Sequence, residues 1–284
     1  MKILTFDIEE WFHILDNKST RTENDWLKYE SRIHANMDRI FELLDNTGQK
    51  ATFFCLGWVA QKYPEVIKRI DDAGYEIGTH SNLHQLVYEQ SAAEFESDLE
   101  RSIKSIEDIT GKKVTAYRAP GFSIREDNDW AFEILLKNGI TTDSSVFPAA
   151  RSHGGFPDFG ISKPCLIDIK GSRLMEFPIN LKFFTKKIPF IFSGGGYFRL
   201  LPDFLIRKYF NDADYVMTYF HPRDFDAGQP VIKELSMVRK FKSYYGLSNC
   251  FNKLETLLKQ QEFVDIRTAV EMINWDTTEI KKIR

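Results

Sequence analysis

The chain has 284 residues, 43% of them hydrophobic and 28% charged, with a formal net charge of −3. That balance belongs to a globular protein with a large core, and without a basic run beyond pairs such as Lys186-Lys187 it argues against a nucleic-acid partner. No apolar run approaches the ~20 residues of a membrane-spanning helix. Met1-Lys2 leads straight into Ile3-Leu4-Thr5-Phe6, so no signal peptide is expected and the cytoplasm is the expected location. Cys55, Cys165 and Cys250 have no CxxC spacing and read as buried thiols of a reducing compartment.

In chain order, strands are expected at Lys2–Ile8, Ala51–Leu56, Tyr75–Thr79, Val114–Tyr117, Ile140–Asp143, Leu174–Ile179, Tyr215–Phe220 and Phe263–Ile266. Helical periodicity fills the gaps. Ile33, Met37, Ile40, Phe41 and Leu44 make one apolar stripe, closed by Gly48. Ser91-Ala92-Ala93-Glu94 is a capping box ahead of Phe95, Leu99, Ile103 and Ile106. Ser123 to Glu126 suggests another before Trp130, and Pro202 opens a helix carrying Phe204, Leu205 and Tyr209. This alternation predicts a parallel α/β sheet, and so many units favour a deformed (β/α) barrel of seven or eight strands. A single domain spanning residues 1–284 is expected, with a rim or lid loop at about 147–171 and a helical extension from about residue 230. The glycine-rich stretch Phe192 to Arg199 has too many glycines for an element interior.

The polar residues at the strand ends carry the chemistry. His80 and His84 are four apart and meet on one face if the chain turns helical there. Asp7 and Glu9 point to the same side of a strand and repel unless a cation lies between them. One carboxylate and two imidazoles make a metal site with open positions, and the other carboxylate is then free as a general base. His221 ends an apolar strand and needs a partner for its second nitrogen; Asp143 is the expected orienter, the pair forming a general acid. Arg118 is placed to hold Asp7 deprotonated, and Gly121 to let a backbone N–H approach an oxyanion. In a barrel all of these share the C-terminal rim, where active sites form.

Thr5-Phe6-Asp7-Ile8-Glu9, Thr79-His80-Ser81-Asn82-Leu83-His84, Arg118-Ala119-Pro120-Gly121, Asp143-Ser144-Ser145 and Phe220-His221-Pro222 resemble, in order, the motifs of the metal-dependent polysaccharide deacetylases with the NodB-homology domain (carbohydrate esterase family 4). Asp7-Ile8-Glu9-Glu10-Trp11-Phe12-His13 and Gly194-Gly195-Gly196-Tyr197-Phe198-Arg199 resemble the exopolysaccharide-associated branch. The resemblance implies Asp7 as base, Glu9, His80 and His84 as metal ligands, and His221, Arg118 and Asp143 as further catalytic groups. Gly121, Trp11 and Tyr197 are the expected substrate contacts, with Phe12 and His13 on the same rim. The family's adjacent aspartates are replaced here, which leaves Glu9 or Glu10 open as the metal carboxylate.

The implied activity is hydrolysis of N-acetyl groups on the amino sugars of a polysaccharide or its precursor, using a divalent metal: zinc first, with iron, cobalt or nickel as alternatives. Carbohydrate is the expected partner, and the oligomeric state is open. Two rivals are a cyclic imide or ureide hydrolase of the same superfamily and a sugar-binding module without activity.

Overall fold

A computed structural model of the chain describes residues 1–15, 17–151, 153–184 and 188–283. The Lys186-Lys187 pair lies outside the described residues. Twelve strands are present among them: β1 (Lys2–Ile3), β2 (Thr5–Ile8), β3 (Thr52–Cys55), β4 (Glu76–Thr79), β5 (Ala116–Tyr117), β6 (Thr142–Asp143), β7 (Cys165–Ile169), β8 (Ser172–Glu176), β9 (Lys182–Phe184), β10 (Ile188–Phe190), β11 (Val216–Met217) and β12 (Ile280–Lys282). The main sheet runs β12-β7-β8-β6-β5-β4-β3-β2. From β2 to β6, and on to β8, every neighbouring pair is parallel. All of these strands therefore end on one side.

The sheet curls without closing into a continuous ladder among the described residues. Beyond β2 the chain pairs through β1 with β11 and through the bridge Phe6↔Phe220. Across the remaining gap the contact is made by side chains: Met217 N–H donates to Asn180 Oδ1 at 3.0 Å, and Tyr215 Oη–H donates to the Pro178 carbonyl at 2.8 Å.

Two helices form as their capping signals require. In Ile33–Thr47 the residues Ile33, Met37, Ile40, Phe41 and Leu44 are buried, and the Gly48 N–H closes on the Leu44 carbonyl. Ala92–Thr110 starts at the Ser91/Glu94 capping box and buries Phe95, Leu99 and Ile106. Elsewhere the expected pattern shifts. Ser123 caps no helix; its hydroxyl accepts from Val87 N–H, and the helix begins only at Trp130. The stretch read as a loop at 147–171 contains β7, paired antiparallel with β8. The glycine-rich stretch enters a helix, Gly195–Leu200. Gly194 is fixed by close approach, since a Cβ there would strike the Tyr219 carbonyl. After residue 230 the helices Met237–Tyr244, Leu247–Gln260 and Ile266–Met272 follow. No helix among the described residues is long and apolar enough to cross a membrane. All three cysteines are buried free thiols.

Replacing Ser91 by Ala removes the hydroxyl that accepts from Glu94 N–H and should lower the unfolding free energy by about 1 kcal/mol. Urea denaturation of the two proteins reads this directly, and an unchanged midpoint would show that the 19-residue helix does not depend on its cap.

Candidate active site

At the ends of the parallel strands, Glu9, His80 and His84 each bring one donor atom within 4.8 Å of the others, all three buried. Glu9 follows β2 and His80 follows β4. His84 arrives by a route that the helical reading did not foresee. Residues 80–84 form no helix; Ser81 and His84 adopt left-handed φ values of 72° and 56°. Such a backbone is unfavourable for side chains with a Cβ and needs fixing from outside. Asp98, on the helix Ala92–Thr110, does so by accepting Asn82 N–H at 2.7 Å and Leu83 N–H at 3.1 Å.

The donor set fits a divalent cation. His80 Nδ1–H donates to the Arg118 carbonyl at 2.7 Å, which leaves the Nε2 lone pair as the ligand. Burial pushes the His80 pKa down to about 4, so the ring is neutral. Glu9 Oε2 is buried with no hydrogen-bond donor aligned on it, although His84 Nε2 is 2.7 Å away. Burial acts to raise the Glu9 pKa, but His84 foremost, then His221 and His13, outweigh it and hold the carboxyl well below the usual range. A carboxylate oxygen and imidazole nitrogens are the donors that zinc and similar ions take.

The choice between Glu9 and Glu10 follows from where each points. Glu10 turns away to the start of the helix Ile33–Thr47, where its Oε1 accepts Arg32 N–H at 3.0 Å and Ile33 N–H at 3.2 Å, with Ser31 also bonded to it. A carboxylate on unpaired helix N–H groups is well placed there.

Asp7 flanks the cluster. Arg118 Nη1 donates to its Oδ1 at 2.7 Å, as the sequence suggested. Arg118 is fully buried, stacks over the Phe54 ring at 4.3 Å, and also donates to Thr5 Oγ1 and Ser144 Oγ. On the other flank His221 Nε2 lies 3.9 Å from Asp7 Oδ2 and 3.8 Å from Glu9 Oε1.

Asp143 does not orient His221. Its carboxylate is taken by Ser145, whose Oγ–H donates at 2.6 Å and N–H at 3.1 Å, and it stands beside Glu176 in the β6–β8 register. Burial raises the pKa of both acids, and the neighbouring Asp143 charge raises that of Glu176 further. The partner of His221 is Asp224, missed in the sequence: Oδ2 meets Nδ1 at 3.1 Å, and the same oxygen accepts His221 N–H at 3.0 Å. The signal was present as His221-Pro222-Arg223-Asp224, a proline at the first helical position and an acid at the third. Arg199 Nε stands 3.2 Å behind, on Asp224 Oδ1.

Trp11 is not a stacking platform. It is only 2% exposed, its Nε1–H donates to the Glu30 carbonyl at 2.8 Å, and its ring packs on Phe12 and Tyr29. Phe12 and His13 are buried with it; His13 sits among Trp26, Trp58 and His84. The expected rim is thus a wall behind the Glu9–His80–His84 cluster. Tyr197, 50% exposed, keeps a face open to solvent. Gly121 adopts φ 62°, and a side chain there would strike Leu15 and approach the His153 carbonyl.

Residues 17–141 match the polysaccharide deacetylase family, and residues 144–271 match a domain of unknown function (DUF3473). Residues 17–141 belong to the polysaccharide deacetylase family. The chain is 34% identical over 108 residues to a peptidoglycan deacetylase of Helicobacter pylori, covering 38% of this chain and 36% of that protein. It is 30% identical over 96 residues to a peptidoglycan-N-acetylglucosamine deacetylase of Bacillus cereus, covering 34% and 35%. A chitin deacetylase of Pestalotiopsis is 32% identical over 100 residues, covering 34% of each chain. The matched segments thus span about a third of these polysaccharide deacetylases. A solved structure from Mycobacterium smegmatis, described as a polysaccharide deacetylase, superposes with a TM-score of 0.67 at 18% identity, covering 100% of this chain and 93% of that one, which establishes the shared deacetylase fold.

The His221–Asp224 pair has a definite pH signature. Burial lowers the His221 pKa, but the Asp224 hydrogen bond and the charges of Glu9, Asp224 and Asp7 raise it from 6.5 to about 9. This contribution to stability is complete below the ordinary histidine value and is lost as pH rises through 9. Burial raises the Asp224 pKa, but Arg199 and His221 lower it from 3.8 to about 2, a contribution lost as pH falls through 2. Asp224→Asn should therefore cost more stability near about pH 6 than near about pH 10. Urea titrations at the two values test this; equal costs would show that the pair is uncharged.

Proposed function

We propose that this chain is a metal-dependent hydrolase that removes acetyl groups from N-acetylated amino sugars of a polysaccharide or its precursor. The observation that carries the reading is the buried Glu9–His80–His84 cluster, with Asp7 on one side and His221 on the other. The relatives named as deacetylases of peptidoglycan and chitin favour an acetamido sugar as the substrate. The Asp7–His13 and Gly194–Arg199 stretches favour the exopolysaccharide-associated branch as the finer assignment.

Glu9, His80 and His84 would hold the ion, zinc by donor type. A bound divalent ion of this kind lowers the pKa of a coordinated water and polarises the acetamide carbonyl. Asp7, pinned by Arg118 through Oδ1, keeps Oδ2 for the proton of the attacking water. His221 is charged at neutral pH and gives its Nε2 proton to the departing sugar amine. Asp224 holds Nδ1 and so aims Nε2 into the site. Backbone N–H in the Gly121 turn is the candidate donor to the oxyanion, and Tyr197 the candidate sugar-stacking face.

Acetate release from N-acetylglucosamine oligomers should stop on chelation and return with added zinc. His80→Ala should lose metal binding and turnover together. Asp7→Asn should keep the metal, read by elemental analysis, and lose turnover by on the order of 10²- to 10⁴-fold. Loss of metal from Asp7→Asn would instead make Asp7 a ligand, and full activity of His80→Ala would refute the site.

A further inference from the structure

Behind His221 the polar side chains continue in one buried line. Asp224 gives Oδ2 to the imidazole, and its Oδ1 lies 3.2 Å from Arg199 Nε in an ion pair whose N–H is not aligned for a hydrogen bond. The far edge of the Arg199 guanidinium is spread over backbone carbonyls: Nη1 donates to Ser243 at 3.0 Å and Tyr245 at 2.9 Å, and Nη2 to Lys242 at 3.0 Å. These carbonyls terminate the helix Met237–Tyr244, where the last turn has no partners of its own. No residue of that helix is buried, so apolar packing does little to hold it.

Arg199 is itself only 7% exposed and is fixed from below. Its helix, Gly195–Leu200, has the carbonyls of Phe198, Arg199 and Leu201 taken by Lys253 Nζ at 3.2, 3.4 and 2.7 Å. A planar cation that spreads two Nη groups over three carbonyls while its Nε edge faces a carboxylate is what this position uses, and lysine lacks that fork.

We infer that Arg199 is a positioning residue for the reaction: it fixes the Asp224 carboxylate, and through it the His221 ring, to the end of the helix Met237–Tyr244. The inference rests on the reading of His221 as proton donor. Arg199 lies within residues 144–271, so the segment matched by a domain of unknown function acquires a task. It builds the acid half of the site, opposite the cluster of Glu9, His80 and His84.

The test compares Arg199→Met, Arg199→Lys, Asp224→Asn and the double variant Arg199→Met/Asp224→Asn in the zinc-loaded full chain, with Val238→Ala as a control on the exposed face of the same helix. Acetate release from N-acetylglucosamine oligomers gives kcat and KM, and ¹⁵N spectra give the His221 ring resonances. Arg199→Met should lower kcat about tenfold to a hundredfold with KM within about twofold. The double variant should be no worse than the more damaged single one, because both break the same link. Arg199→Lys should recover part of kcat, and the His221 Nδ1 resonance should move alike in Arg199→Met and Asp224→Asn. If Arg199→Met does not fold, Arg199→Lys carries the comparison: reduced kcat with a displaced resonance supports the link, and wild-type values of both overturn it. A lowered melting temperature with unchanged kcat and resonances would reduce Arg199 to a helix clamp, and losses that multiply in the double variant would also overturn the inference. Should His221→Ala retain full turnover, the proton-donor reading fails, while the ring resonances in the Arg199 variants still decide whether Arg199 holds the imidazole.

Discussion

Asp7, Glu9, Asp143, Glu176 and Asp224 are carboxyl groups withdrawn from water at one end of a single sheet, and the surrounding architecture follows from how each is compensated. A buried carboxylate costs several kcal/mol unless charge and hydrogen bonds answer it. Asp7 has Arg118, and Asp224 has Arg199 and His221. Asp143 and Glu176 stand side by side with pKa values raised by burial, and serine and backbone groups donate to them. Glu9 is different, because the groups that face it are imidazoles and one of its oxygens has no aligned donor. Glu176 Oε2 likewise has no donor, but it is Glu9 that stands with two imidazoles, His80 and His84, within 4.8 Å, and that singles it out as the candidate ligand.

Much of the scaffold was legible because its periodicity is local. The run Thr52–Cys55 is buried on every side chain, and the stripes of Ile33–Thr47 and Ala92–Thr110 end at glycine caps. What escaped were strands whose burial is decided by distant partners. The strand Cys165–Ile169 sits in a glycine- and proline-rich stretch and is a strand because Ser172–Glu176 folds back on it. Ile280–Lys282 has two lysines in three residues and is an edge strand held by Cys165–Ile169. Neither carries an alternating pattern of its own.

In the site, the clustering of Glu9, His80 and His84 could be read from type and spacing, but the backbone that delivers them could not. A helical turn was the simple way to join His80 and His84; the chain instead uses left-handed residues that Asp98 restrains from another helix. The error over Asp143 has the same origin. A position at a strand end says that a carboxylate is near the rim, whereas its partner is set by what lies one strand over, here Glu176. Trp11 and His13 follow similar logic: next to a site in sequence, they are turned into the core by Trp26, Tyr29 and Trp58.

The halves of the site are joined by backbone rather than by side chains alone. Asp7 N–H donates to the Phe220 carbonyl at 2.8 Å, and Phe220 N–H to the Thr5 carbonyl at 3.2 Å. Asp7 and the residue preceding His221 are therefore in one parallel register. A shift of that register by one residue would send Asp7 and Glu9 to the opposite face and leave Arg118 buried without its carboxylate. The electrostatic penalty of such a slip and the dispersal of the Glu9–His80–His84 cluster would come together, so the same pairing that keeps the charges compensated also keeps Asp7, that cluster and His221 at one end of the sheet.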